Sequence, residues 1–209
     1  IGITFLVLAI LNSTLAYYIN LTDATFVGKY AWWIFYLTLS VVSIGGAMWH
    51  FKAYKAQYTC MVGMMVGMTI GMQSGMMVGF VLGVTNGFFT GALVSMILGS
   101  AVGAYTGRCC GIMGVMEGIM AGIMGGTMGP MISVMMFNDN ILWFVPAYMA
   151  LNTAILIGLS FMIFEEVVEE NKGIIKKPMS LKRFVGISTL TLIILMGIML
   201  LTPASIFMA

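Results

Sequence analysis

Methionine recurs at four-residue spacing in two segments of the chain. Of 23 Met among 209 residues, 16 lie between positions 61 and 136. They include two rows, Met64, Met68, Met72 and Met76, and Met116, Met120, Met124 and Met128. Residues four apart lie on one helix face, so each row stacks thioether sulfurs about one turn apart. A thioether is a soft, uncharged ligand that suits Cu(I) or Ag(I). The rows therefore predict a series of weak sites for a soft monovalent metal. Two alternatives stay open: adaptable packing by a flexible side chain, and a sink for oxidants.

Three thiols precede these rows in the sequence. Cys60 comes before the first row, and Cys109 and Cys110 come before the second. A thiolate binds a soft metal more strongly than a thioether does, so a methionine row that ends in thiols is a graded path towards an acceptor. The alternative is that each Cys is a small apolar residue at a membrane interface. His50, the only His, is either an added nitrogen ligand or an interface residue, and this donor set does not build a typical zinc enzyme site.

Glu117 is a carboxylate inside an apolar segment. Such groups are costly in a membrane and face a partner or a cavity. We expect Glu117 to attract a cation where it enters the path, to couple proton movement, or to make a structural hydrogen bond. No nucleophile–base pair and no cofactor motif accompanies it, so the chain is not predicted to be an enzyme.

The composition defines the elements that must position these groups. Hydrophobic residues make up 61% of the chain and charged residues 8%, whereas a soluble domain carries roughly 25% charged residues. This excludes a soluble enzyme, a nucleic-acid-binding protein and a disordered protein. It predicts an all-α fold, a polytopic bundle of helices in the lipid bilayer.

About seven segments have the roughly 20 apolar residues that a membrane span needs. They are 1–19, 30–49, 59–82, 88–106, 110–136, 141–164 and 184–206. The whole chain, 1–209, is predicted to be one transmembrane domain. It divides into two peripheral spans in 1–58, central Gly- and Met-rich spans in 59–136, and two C-terminal spans in 137–209 with a charged cytoplasmic loop at 165–183. The shortest break is the turn signal at 84–87.

Basic residues separate by side under this division. Eight of the nine Lys and Arg fall in the second, fourth and sixth loops, and Lys29 alone falls in the others. The eight are Lys52, Lys55, Arg108, Lys172, Lys176, Lys177, Lys182 and Arg183. By the positive-inside rule that side is cytoplasmic, which places the N-terminus inside and the C-terminus outside. We expect a bacterial or archaeal cell membrane.

Glycine also recurs every four residues through the central spans. The positions singled out for helix packing are Gly63, Gly67, Gly71, Gly75, Gly99, Gly103, Gly114, Gly118 and Gly122. Such stripes let helix backbones approach closely, and they predict a glycine zipper that joins the three central spans, with the other four around them. A homo-oligomer interface and a flexing pore are the alternatives.

The spacing from glycine to the following methionine differs between the two methionine rows. Methionine follows glycine by one position in the third span and by two in the fifth, which is about 100° and 200° around a helix. Either the helices rotate to bring both rows together, or some methionines only pack.

The pairing of MxxxM with GxxxG inside membrane spans resembles the copper transporter (Ctr) family. The matching positions are Met64/Met68 and Met116/Met120 for the first motif, and Gly99/Gly103 or Gly118/Gly122 for the second. The resemblance implies a Met-lined Cu(I) path between spans that are packed through glycine. That family has three spans, whereas this sequence predicts about seven and repeats the motif.

The leading hypothesis is a membrane protein that binds Cu(I), or another soft monovalent metal, and transports it or hands it to a cytosolic copper acceptor. One alternative is a non-catalytic accessory or assembly subunit of a larger membrane complex, such as a respiratory oxidase. Another is an ion or osmotic channel. We expect the lipid bilayer as a partner, together with a homo-oligomer or a membrane complex, and no nucleic acid.

Overall fold

The computed structural model describes residues 26–53, 60–136, 141–164 and 181–201, and within these ranges it is helical with no strand. The helices are α1 (Phe26–Ala53), α2 (Cys60–Asn86), α3 (Phe88–Gly107), α4 (Gly111–Met135), α5 (Ile141–Phe164) and α6 (Leu181–Leu201), with a 3-10 turn at Arg108–Cys110. The all-α prediction is confirmed for these residues. The predicted span at 1–19 and most of the charged loop at 165–183 lie outside them.

Four apolar helical ranges in the described residues are long enough to cross a membrane. They are Trp32–Phe51, Cys60–Asn86, Phe88–Met135 and Trp143–Ile163. The third range has 48 residues and contains both α3 and α4. The apolar part of α6, Gly186–Met199, is shorter. By length and composition, these helices are compatible with an integral membrane protein.

Two glycines with positive φ reverse the chain direction around α3. Gly87 has φ 85° between α2 and α3, and Gly111 has φ 71° after the turn that joins α3 to α4. Only glycine adopts this conformation without a steric penalty. The short break predicted at 84–87 is therefore confirmed, and α2, α3 and α4 form two consecutive hairpins.

Helix α2 lies at the centre of the described residues. Its partners on one side are α3 and α4, and on the other side they are α1, α5 and α6. The buried share is 72% for the apolar stretch of α2 and 28% for the range that contains α3 and α4. The three outer helices that the structure describes thus do not surround all three central helices, which differs from the expectation from sequence. They pack mainly against α2 and α1 and leave the outer faces of α3 and α4 exposed.

Side-chain contacts fix the direction of the outer helices. The ring of Phe80 in α2 stacks on that of Tyr148 in α5, with centroids 4.9 Å apart. At the end of α2, Asn86 Nδ2 donates a hydrogen bond of 3.0 Å to the carbonyl oxygen of Met199 in α6. Because Phe80 is near the C-terminal end of α2 and Tyr148 is near the N-terminal end of α5, these two helices run antiparallel.

The turn that carries the thiols lies at the opposite end of the bundle. Phe51, near the end of α1, lines a cavity of about 260 Å³ together with Arg108 and Cys109 of the turn. The ends of α1, α3 and α5 and the starts of α2, α4 and α6 therefore meet here. We call this the thiol end.

We expect Gly71→Ala to destabilise the fold. Its added Cβ would lie 2.9 Å from Gly103 Cα and 2.9 Å from the carbonyl oxygen of Gly118, and backbone atoms cannot move aside singly. Overpacking of this kind costs about 1–3 kcal/mol. Thermal unfolding in detergent should show a midpoint lower by about 2–4 °C for each kcal/mol.

Gly158→Ala is the matched control, because a Cβ at Gly158 meets nothing within 4 Å. It should leave the midpoint unchanged or raise it, since alanine favours helix over glycine. Equal midpoints for the two variants would contradict the packing described.

Candidate functional site

The backbones of α2, α3 and α4 meet through glycine. A Cβ added to Gly99 of α3 would lie 2.9 Å from the carbonyl oxygen of Gly122 in α4 and 3.1 Å from Gly75 Cα in α2. Ser95 takes the place of glycine in the four-residue repeat of α3. Its Oγ donates a hydrogen bond of 2.8 Å to the carbonyl oxygen of Gly126. At Gly99 there is no room for even one side-chain carbon, so the backbones set the distance between the helices there. Backbone atoms of a neighbouring helix also lie against Gly67, Gly103, Gly107, Gly114 and Gly118.

A second row of small residues on α4 meets the methionine row of α2. Gly125 lies against the backbone of Met72, and a Cβ on Gly129 would lie 2.5 Å from the carbonyl oxygen of Met76. Both pairs advance by four residues in the same direction, so α2 and α4 run parallel. Ala121, one turn before Gly125, continues this row and is also buried.

Both methionine rows lie on the side of the α2–α4 contact that faces away from α3. On α4, a Cβ on Gly126 would lie 2.5 Å from the backbone N of Met96 in α3. Met124 is two positions before Gly126, about 200° around the helix, and so points away from α3. On α2, an added Cβ would meet α3 at Gly67 and α4 at Gly75, which is about 80° further round the helix. Met76 is about 100° beyond Gly75 in the same sense, so it lies on the side of the α4 contact that faces away from α3.

The two rows therefore follow the same outer edge of the α2–α4 contact. We call this edge the methionine groove, and its residues are Met64, Met68, Met72 and Met76 of α2 and Met116, Met120, Met124 and Met128 of α4. Methionine follows glycine by about 100° around α2 and by about 200° around α4. The second row of small residues on α4 explains this difference, because it is this row that contacts α2. Each α4 methionine follows a glycine by two positions but precedes a member of the row at 117, 121, 125 and 129 by one.

The groove is open at the surface of the described bundle. Met68 is 45% exposed in α2, and Met120 is 63% exposed in α4. Met64, Met72 and Met76 are half-buried. By contrast, Met77 lies outside the row and is fully buried. The methionines of the rows are therefore more exposed than a core methionine such as Met77.

The structure brings the three cysteines together at the thiol end. The Cys109 and Cys110 sulfurs are 3.7 Å apart, and Cys110 Sγ donates to the carbonyl oxygen of Cys60 at 3.1 Å. A Cβ on Gly63 would lie 2.7 Å from Cys109 Sγ and would also meet Cys110 Sγ. Gly63 thus makes the space in which both thiols lie. Cys60 precedes the first methionine row by four residues, and Cys110 precedes the second by six.

The Cys110 thiol has a raised pKa. Burial, together with the neighbouring Cys109 and Cys60 thiols, raises the pKa of the Cys110 thiol, in the turn outside the helices, to about 12. A soft metal would therefore have to displace a proton here. The described residues contain no group of three or more His, Cys, Asp or Glu side chains able to hold a metal ion.

Glu117 belongs to the α4 row that faces α2. It is half-buried, follows Met116 directly and lies one turn before Ala121. Within the described ranges its carboxylate has no hydrogen-bond or ion-pair partner. Glu117 thus places a carboxyl group beside the methionine groove.

His50 lies away from the groove. It lines a separate cavity between α1 and α5, together with Ser43 and Ser160. The structure therefore does not place its imidazole with the methionine rows or with the three thiols.

The residues that sequence reasoning missed are Ala121, Gly125 and Gly129. The sequence did not single out these three residues, because the four-residue glycine repeat of α4 runs through Gly122 and Gly126 instead. The signal was the adjacent pair Gly125-Gly126, which gives α4 two small faces instead of one. One faces α3 and the other faces α2.

The fold and the groove define a helical protein, compatible with a membrane location, whose α2–α4 contact is flanked by thioethers. No known protein-family model matches the chain, and no curated protein or solved structure matches it either.

We expect Gly63→Ala to disturb the thiols without unfolding the protein. The added Cβ meets two sulfur atoms, which can move by side-chain rotation. The midpoint of thermal unfolding should stay close to that of the wild type. Binding of phenylarsine oxide, which needs two adjacent thiols, should weaken about tenfold, as measured by protection of Cys109 and Cys110 from maleimide.

Gly67→Ala, one turn along, is the matched control. Its Cβ would lie 2.8 Å from Gly107 Cα, so it should lower stability by about 1–3 kcal/mol and leave the arsenical affinity unchanged. If Gly63→Ala binds the arsenical like the wild type, the described position of the thiols is wrong.

Proposed function

We propose that the chain is an integral membrane protein of about seven spans, held together at its centre by a glycine zipper. Helix directions that alternate along the chain and the backbone contacts at Gly71 and Gly99 support this. The described helix ends and turn at the thiol end carry Lys52, Arg108, Lys182 and Arg183, which supports a cytoplasmic location for that end. The N-terminus is then inside and the C-terminus outside.

Its proposed function is to bind Cu(I), or another soft monovalent metal, and to transport it or pass it to a partner. The single observation that carries this is the position of both methionine rows on one side of the α2–α4 contact, with three cysteines at one end. Thioethers need no deprotonation to bind a metal. Because they are uncharged, burying them in an apolar environment costs little free energy. Several weak soft sites in series let a cation bind and also leave.

Each group has a proposed role in this path. The eight methionines of the groove are transient ligands. Cys60, Cys109 and Cys110 form the cytoplasmic end, from which a cytosolic copper acceptor takes the metal. Glu117 attracts the cation or couples its movement. The sequence has no Walker-type phosphate-binding motif, so movement is proposed to be passive or coupled to an ion gradient.

A second candidate function is that of an accessory or assembly subunit of a membrane complex. The observation that favours it is the exposed outer face of the α3–α4 hairpin. That face carries Phe89, Leu93, Ile97, Ile112, Ile119 and Ile123. A second copy or another membrane subunit could cover it, with methionine as an adaptable filler.

Substituting Met68 and Met120 together by leucine tests the proposal. Leucine keeps the volume and apolar character but removes the sulfur, so the fold should persist while Cu(I) affinity falls about tenfold or more, by 1.4 kcal/mol per factor of ten. The measurement is metal content after anaerobic Cu(I) loading and desalting of detergent-purified protein, with a bathocuproine competition for affinity.

The matched control is the double variant Met77→Leu and Met149→Leu. These residues are 0% and 1% exposed, and the same number of sulfurs is lost. It should bind copper like the wild type. Equal copper content in both double variants would contradict the proposal, and subunits that co-purify with a copper-free protein would favour the accessory role.

A further inference from the structure

A groove between α1 and α5 is separate from the methionine groove. It encloses about 530 Å³ and is lined by Leu39, Val42 and Gly46 of α1 and by Leu156 and Ile157 of α5, among others. This volume is in the range of ligand sites in proteins. It is also distinct from the small cavity of about 260 Å³ at the thiol-bearing turn.

The hydroxyl groups that line this groove are already engaged with their own helices. Ser43 Oγ donates to the carbonyl oxygen of Ser40 at 3.2 Å, and Thr153 Oγ1 donates to that of Met149 at 2.9 Å. Ser160 Oγ donates to the carbonyl oxygen of Leu156 at 3.0 Å. With these donors occupied, the rest of the lining is apolar and suits a hydrocarbon chain better than a polar molecule.

The groove leads to the end of the bundle where positive charge collects. His50 and Ser160 line it close to the ends of α1 and α5. The described helix ends and turn on this side carry four basic residues and no acidic one, namely Lys52, Arg108, Lys182 and Arg183, whereas the described helix ends on the other side carry Lys29. Basic residues beside a membrane attract anionic lipid headgroups.

We propose that the α1–α5 groove binds one acyl chain of an anionic phospholipid, with the headgroup at the thiol end of the bundle. The inference goes beyond the proposed metal function, because no residue of the methionine groove takes part. The occupant is a lipid of the leaflet at the thiol end. Its acyl chain fills the space between α1 and α5 that the described residues leave open.

Ser160→Phe tests the proposal by filling the groove from the α5 side. The probe is phosphatidylglycerol with defined acyl chains, added to delipidated full-length protein in detergent and counted by native mass spectrometry. The wild type should retain one lipid, and the variant should retain it at least tenfold less. Ser100→Phe, a half-buried serine on α3 away from the groove, is the matched control and should retain the lipid.

Ser43→Phe fills the same groove from the α1 side and replaces Ser160→Phe if that variant does not fold. Equal lipid retention in the wild type and a folded groove-filling variant would overturn the proposal. Phosphatidylcholine with the same chains should be retained less well than phosphatidylglycerol. Equal retention of the two lipids would overturn the assignment of an anionic headgroup.

Discussion

Backbone contact between α2 and its neighbours α3 and α4 is the constraint on which the rest of the structure depends. Where Gly71 and Gly99 lie, a single added carbon would come within about 3 Å of another helix's backbone. In an apolar solvent there is little hydrophobic force between helices, so close packing and a few hydrogen bonds hold them together. Ser95 supplies one such hydrogen bond to Gly126.

This contact also decides where the large side chains go. Because glycine occupies the contact faces of α2 and α4, the methionine side chains of these helices lie along the edge of the contact. The two small faces of α4, one towards α3 and one towards α2, place the α4 row beside the α2 row. Gly63 extends the same principle to the thiol end, where the missing side chain makes space for Cys109 and Cys110.

Much of the fold was predictable because its causes are local. Apolar length and the break at Gly87 defined the helices, and α5 matches the predicted span at 141–164. The convergence of the methionine rows was not predictable, because it depends on which face of α4 meets α2. The two-residue spacing from Gly118 to Met120 suggested that the methionine rows of α2 and α4 face different directions. The contact of Gly125 with Met72 shows instead that a second small face of α4 meets α2. Likewise, the exposed outer face of α3 and α4 follows from tertiary contacts that spacing cannot show.

The central claim is that a soft metal lies between α2 and α4 among sulfur atoms. Copper K-edge X-ray absorption on the anaerobically Cu(I)-loaded, desalted protein tests it most directly. The account predicts retained Cu(I) with a first shell made only of sulfur, at a sulfur number that falls when groove methionines are replaced by leucine. A shell of nitrogen or oxygen, or a protein that retains no copper, would contradict it.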